Sequence, residues 1–229
     1  MKLTISDRLL ACCAYVHPGD RIADIGCDHG YLSIYLLTKG IASSAIASDV
    51  NEGPLQSAMR NAKRFGVREK MQFCLSDGVR HIPRNFDTMV CAGMGADTMI
   101  HILESAPWLK SASYRLILQC QSKTPMLRAY LNEKGWRILD ESVLKDGKFL
   151  YTVMEIRYEP DAPRLSDAQC YFPPVLLDHP SPQLSAYWRW VTEGLRISLS
   201  HRENPEKQRI LKELDALTEE FTFLKEETQ

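Results

Sequence analysis

The chain has 229 residues, of which 45% are hydrophobic and 25% charged, with a formal net charge of −1. That is enough chain for one well-buried domain and a smaller appendage, and too apolar for a disordered one. No apolar run approaches the roughly 18 residues a membrane-crossing helix needs, and Ser6, Asp7 and Arg8 occupy the place where a secretory signal's apolar core would stand. The seven cysteines form no CxxC and no paired zinc spacing, which predicts free thiols in a reducing cytoplasm and no metal centre. Residues 1–158 carry 20 Lys and Arg against 16 Asp and Glu, whereas residues 159–229 carry 8 against 13. A mildly basic front therefore precedes an acidic tail, a balance that permits contact with phosphates.

In chain order, Arg21 to Ile25 is a short apolar run ending at Gly26 and reads as a buried strand. Tyr31 to Lys39 reads as a helix closed by Gly40. Ala45 to Asp49 is a second strand, and Pro54 opens a helix that continues from Leu55 to Phe65. Met71 to Leu75 and Asp87 to Cys91 are strands three and four, followed by a helix over Asp97 to Ser105. Arg115 to Gln119 is the fifth strand and Met126 to Lys134 a helix. Trp136 to Lys145 and Phe149 to Tyr158 read as an antiparallel pair turned at Asp146-Gly147. Strands alternating with helices predict an α/β fold with a parallel, doubly wound sheet. Six prolines between Pro160 and Pro182 then predict a stiff, irregular linker over residues 159–183. Beyond it, Leu184, Trp188, Val191 and Leu195, and then Ile210, Leu214, Leu217, Phe221 and Leu224, recur at steps of three and four. Two such seams joined by a short turn predict a coiled-coil-like antiparallel helical hairpin over residues 184–229.

In an open parallel sheet, ligands bind beyond the C-terminal ends of the strands, and the informative residues fall there. The first strand leads into Gly26-Cys27-Asp28-His29-Gly30-Tyr31, whose glycines let the backbone turn and approach a ligand. There is no GxGxxG and no GK[ST], so the ligand need not carry a pyrophosphate. Asp49, followed by Val50, can accept hydrogen bonds from the vicinal hydroxyls of a ribose. Asp77, within Ser76-Asp77-Gly78, can accept from an exocyclic adenine amine, and Gly78 leaves room for the ring. Ala92-Gly93-Met94-Gly95 is a small-residue loop whose backbone can lie against a ligand, and Gln119-Cys120-Gln121 places amides at the same rim. Together these describe an adenine-and-ribose pocket with an acidic first loop. S-adenosyl-L-methionine fits it, with Asp24 and Asp28 facing its sulfonium and ammonium groups.

Ala23-Asp24-Ile25-Gly26-Cys27-Asp28-His29-Gly30-Tyr31-Leu32, Asn51-Glu52-Gly53-Pro54, Ser76-Asp77-Gly78, Ala92-Gly93-Met94-Gly95 and Leu116-Ile117-Leu118-Gln119 resemble the bacterial tRNA (adenine-22-N1)-methyltransferase family. Leu3 to Leu9 and Gly147-Lys148-Phe149-Leu150-Tyr151 extend the resemblance over roughly residues 1–158. Ala96 and Cys120 stand where the family usually has glycine and proline. The resemblance implies a Rossmann-like class I methyltransferase domain over 1–158, transfer of a methyl group from S-adenosylmethionine to N1 of an adenine in the D-arm of tRNA, and a monomer or weak homodimer. Adenine N1 carries an in-plane lone pair and needs no prior deprotonation, so alignment is the main demand. Asp28 and His29, then Asp7 and Arg8, are the candidates for stabilising the cationic product or taking a proton from the exocyclic amine. Tyr31 can stack on cofactor or base. Arg60, Lys63, Arg64 and Arg68, with Gln119 at the rim, are the candidates for RNA contact. A methyltransferase of a small molecule or protein, and a non-catalytic RNA-binding module on the same fold, are the rival readings.

Overall fold

The computed structural model describes residues 3–221 and 224, with the side chains of 218–220 left aside, so the outermost ends of the expected 1–158 and 184–229 units lie outside the described residues. Seven strands, β1 (Arg21–Ile25), β2 (Ser44–Asp49), β3 (Met71–Leu75), β4 (Thr88–Met94), β5 (Arg115–Cys120), β6 (Trp136–Asp146) and β7 (Phe149–Tyr158), form one sheet in the order β3-β2-β1-β4-β5-β7-β6. The first five are parallel; β7 runs antiparallel to β5, and β6 pairs antiparallel with β7 at the edge. The chain reverses its direction of winding between β1 and β4, and in such sheets that crevice receives ligands. This is the Rossmann-like methyltransferase arrangement.

The parallel strands are apolar runs because helices cover both faces of the sheet. Alternation sorts their side chains between two cores. Leu116 and Leu118 face the core under α4 (Ala96–Glu104) and α5 (Thr124–Glu133), while Ile117 faces the core under α1 (Asp7–Ala14), α2 (Tyr31–Thr38) and α3 (Glu52–Arg64). Ser6 caps α1, its hydroxyl accepting from the Leu9 amide at 3.4 Å.

Several elements depart from the sequence expectation. β4 runs on to Met94 and absorbs Ala92-Gly93-Met94, with a register shift between Ala92 and Met94. Those residues form a bulged strand end, where one unpaired residue re-aims its neighbours, and the stretch is a strand where a loop was expected. The β6–β7 turn is Gly147-Lys148, one residue later than read, since Asp146 pairs with Phe149. α3 starts at Glu52, which leaves Pro54 inside its first turn, where a missing N–H is harmless.

Residues 159–183 were expected to be irregular. They instead hold α6 (Asp167–Tyr171), opened by a Ser166–Gln169 capping box, and a 3-10 turn over Pro174–Asp178. α7 (Pro182–His201) and α8 (Pro205–Glu220) follow as the helical hairpin, and the predicted seam residues Leu184, Trp188, Val191, Leu195, Ile210 and Leu214 are buried in a third core. That core includes Phe172 and rests on Val143 and Leu150 of the β6–β7 pair, so the hairpin is packed against the sheet edge. A fully buried ion pair fastens the junction. Arg128 on α5 donates to both oxygens of Glu141 on β6 at 2.7 and 3.1 Å, to the carbonyls of Cys170 and Tyr171 at 3.1 and 2.9 Å, and to the Tyr187 hydroxyl on α7 at 3.2 Å.

Candidate active site

The cavity at the switch point has a volume of about 280 Å³. Its floor and walls come from the ends of β1, β4 and β5, and its roof from Ser6, Arg8 and Leu9. The loop after β1 shapes it. Gly26, Asp28 and Gly30 all have positive φ, at +70°, +49° and +72°, so three of five consecutive residues are left-handed. Gly26 has a second reason to lack a side chain: a Cβ there would run into the Met94 methyl. At Gly30 a Cβ would approach the Ala58 Cβ to 2.9 Å, so this glycine also lets α3 close on the loop. Asp28 adopts the left-handed turn as the type of polar residue that tolerates it, and its amide is held by an Asp49 carboxylate oxygen at 3.1 Å.

Asp24 lies on the cavity wall yet is only 4% exposed, with the Ser33 hydroxyl donating to it at 2.8 Å. Burial pushes its pKa up to about 6; the Ser33 hydrogen bonds oppose the shift and the nearby Asp49 charge adds to it. Among the described residues no cation pairs with Asp24, which leaves a buried carboxylate suited to a positively charged ligand. Asp49, at the end of β2, is buried and has its oxygens on the backbone amides of Asp28 and Asn51, at 3.1 and 2.9 Å. Val50 is exposed beside it. The Ser76 amide donates to the Asp49 carbonyl at 2.9 Å, which sets the β3 end directly against the β2 end. Ser76 itself is buried and accepts the His81 amide. Gly78, with φ +57°, faces Ile102 at 3.0 Å from where a Cβ would stand. Asp77 pairs with Arg80 at 3.2 Å on the surface.

Asp28 and His29 project at the mouth, 3.6 Å apart and well exposed, with the His29 ring 5.7 Å from that of Tyr31. The Asn61 side chain anchors the His29 carbonyl. Arg8 reaches over from α1, pairs with Asp146 at the end of β6 at 2.7 Å and lies 5.8 Å from the centre of the Tyr151 ring. Asp7 sits beside it, exposed and off the cavity wall. Burial holds the thiols of Cys13, Cys27 and Cys91 well above their ordinary range, so they remain protonated.

One expectation needs correction. Gln119 cannot contact RNA: it is fully buried, its side-chain oxygen accepts the Gly93 amide at 3.0 Å, and its amide nitrogen donates to the Cys120 carbonyl. It forms the cavity floor and fixes the β4 bulge. Arg68 is exposed at the exit of α3, where one guanidinium nitrogen donates to the Met71 carbonyl at 3.1 Å and the guanidinium lies 4.8 Å from the centre of the Phe73 ring. Arg60, Lys63 and Arg64 are together on α3, but that helix runs back from the rim, and at about 1.5 Å per residue its last turn is roughly 18 Å from its start. Cys120 donates to the Ser122 carbonyl at 3.1 Å and closes the β5–α5 loop. Gln121, expected at the rim, does line the cavity, whereas sequence reasoning missed Ser33, a small polar residue in a largely apolar helix, and gave no role to Leu32, which also lines it.

The methyltransferase domain family matches residues 5–154. The chain is 32% identical to the tRNA (adenine(22)-N(1))-methyltransferase of Bacillus subtilis over 154 residues, which are 67% of this chain and 65% of that protein, a little under two thirds of its length. A Streptococcus pneumoniae protein, provisionally named a tRNA (m1A22) methyltransferase, superposes with a TM-score of 0.82 at 32% identity, over 94% of this chain and 99% of that one. The same protein in complex with S-adenosyl-L-methionine superposes with a TM-score of 0.82 at 33% identity, over 92% of this chain and 99% of that one. Fold, cavity and similarity agree: the chain belongs to the methyltransferase domain family and, within it, to the tRNA (adenine(22)-N(1))-methyltransferases.

Proposed function

We propose that this protein transfers the methyl group of S-adenosyl-L-methionine to N1 of adenine 22 in the D-arm of tRNA. The observation that carries the reading is Asp24, a buried carboxylate without a cationic partner among the described residues, on the wall of a glycine-turned cavity at the switch point. S-adenosylmethionine brings an electrophilic methyl on a sulfonium, and its two cationic centres complement Asp24 and Asp28. Gly26, Tyr31, Ala92, Gly93 and Met94 are the residues proposed to cradle it. Asp49 and Val50 would hold its ribose, and Ser76, Asp77 and Gly78 its adenine.

The chain's own work is then mainly alignment, which contributes on the order of 7–11 kcal/mol when nucleophile and electrophile are held in line. Asp28 and His29, at the mouth, are proposed to face the incoming base, stabilise positive charge developing on its ring and receive a proton from its exocyclic amine. Arg8, held by Asp146, contributes to the roof, with Asp7 next to it at the entrance. The N1 edge is normally paired or stacked, so the base must be extruded, at a cost of a few kcal/mol. Arg60, Lys63 and Arg64 would grip backbone phosphates away from the target. We further propose a catalytic unit over 1–158, a connecting segment over 159–183 and a helical hairpin from 184, working as a monomer or weak homodimer. The cysteines among the described residues are all free, and no described helix is long and apolar enough to cross a membrane, which supports a cytoplasmic location.

The test is incubation with labelled S-adenosylmethionine and bulk bacterial tRNA, followed by nucleoside analysis and mapping. N1-methyladenosine at position 22 is the expected result. Label in another nucleoside, or none, overturns the assignment.

A further inference from the structure

A second cavity, of about 330 Å³, opens between the β5–α5 loop, the start of β7 and the inner face of α7. Its size is at the lower end of small-ligand sites, roughly 300–1,000 Å³. Its walls are aromatic: Tyr151, Tyr171, Tyr187 and Trp190. Trp190 is 63% exposed although it stands next to the third core, with its ring 5.7 Å from that of Tyr187. Lys123 and Lys207 stand at the rim. Lys207 is held at 2.6 Å by the Ser198 hydroxyl and has no carboxylate partner among the described residues. In the wall lies Thr152, 1% exposed, whose hydroxyl oxygen finds no hydrogen-bond partner among the described residues. A buried hydroxyl left unpaired destabilises the fold, and a ligand edge that reaches it would supply the missing partner.

This cavity neighbours the one at the switch point. Gln121 lines both, and the Tyr151 ring that faces the second carries the Arg8 guanidinium that roofs the first. Aromatic faces, a hydrogen-bonding edge and a flanking cation match one unstacked nucleotide: base against ring, base edge against hydroxyl, phosphate against ammonium. We propose that this cavity holds a second extruded nucleotide of the RNA substrate, close in the chain to the one methylated, so that the catalytic sheet and the helical hairpin read the RNA jointly. The proposal rests on the reading above, that the substrate is tRNA. Target choice would then depend on which neighbouring nucleotide can leave its stack, a discrimination the first cavity cannot make alone.

The test uses the full chain with Trp190→Ala and Thr152→Val. Trp190 is exposed, so its loss spares the core, and valine keeps the shape of threonine. Loss of one base–aromatic stack should weaken tRNA binding by Trp190→Ala roughly 5- to 150-fold, with S-adenosylmethionine affinity unchanged by calorimetry. Thr152→Val should melt higher than the wild type and yet bind tRNA more weakly, a pair of effects that a merely structural hydroxyl would not produce. Unchanged tRNA affinity in both variants, within twofold, overturns the proposal. So does a Trp190→Ala protein that differs only by sedimenting as a smaller species, which would assign the cavity to a second copy of the chain. Should the wild type leave bulk tRNA unmethylated, the functional reading falls, and the cavity is judged on tryptophan quenching by adenosine 5′-monophosphate. Quenching that disappears in Trp190→Ala then upholds a nucleotide site, and no quenching in the wild type rejects it.

Discussion

Asp24→Asn should make the ligand-free protein more stable and a poorer enzyme. Burial raises the Asp24 carboxyl from 3.8 to about 6 in the folded chain. A carboxyl raised on folding holds its proton more tightly in the native state, so its contribution is complete below the unfolded value and is lost as pH rises through the folded one. Slightly more than two pH units at 1.36 kcal/mol each is about 3 kcal/mol withdrawn from the wild type by pH 7. Asparagine has no charge to bury and can still accept from Ser33. In urea titrations of the ligand-free proteins, the variant should exceed the wild type by up to about 3 kcal/mol at pH 7.5, and the gap should close below about pH 4. S-adenosylmethionine, as a cation, should bind the ionised form, so wild-type affinity falls as pH drops through about 6 while the variant's stays low and flat. A variant no more stable than the wild type at pH 7.5, or a gap independent of pH, would refute the account of Asp24 as a strained, ligand-awaiting charge.

Gly26→Ala must take a left-handed φ, worth on the order of 1–2 kcal/mol, and displace the Met94 methyl that packs against the cavity loop; calorimetry should show S-adenosylmethionine affinity reduced at least tenfold in a protein that still unfolds cooperatively. Glu141→Leu leaves Arg128 buried and unpaired and should lower stability by about 3–5 kcal/mol in urea. Arg128→Met with Glu141→Leu should recover most of that loss, and a double variant worse than either single one would contradict it. Lys63→Glu with Arg64→Glu should weaken tRNA binding and lower its log–log salt slope by about 2, leaving S-adenosylmethionine affinity intact; an unchanged slope would remove α3 from the RNA path. Asp28→Ala should weaken S-adenosylmethionine binding and also lower the single-turnover methylation rate at saturating S-adenosylmethionine, because the exposed Asp28 carboxylate is proposed to face both cofactor and base; loss of neither would remove it from the site.

The five parallel strands were legible because each is an apolar run bounded by turn residues, and helices on both faces demand that pattern. Their order was not, since alternation of β and α is the same for many orders; resemblance supplied it. The bulge in β4 escaped because Ala92-Gly93-Met94-Gly95 has loop composition, and only Gln119, capturing the Gly93 amide from the neighbouring strand, shows why the strand continues. For the same reason Gln119 was read as a rim residue: a glutamine after an apolar run looks exposed until its partners are known. Asp24, Gly26 and Asp49 were placed correctly at the strand ends because the end of a strand fixes position whatever the neighbours do. Ser33 and the Arg128–Glu141 pair join residues 9 and 13 positions apart in roles that no local period encodes.

The ion pair between Arg8 and Asp146 joins residues 138 positions apart and closes the roof of the cavity. A ribosome synthesises the first of these long before the second. Until the end of β6 has emerged, Arg8 has no Asp146 to hold it over the switch point, although α1 already packs on the core beneath the parallel strands. A fragment that ends before Asp146 should therefore bind S-adenosylmethionine more weakly than the full chain, however well its parallel core has formed.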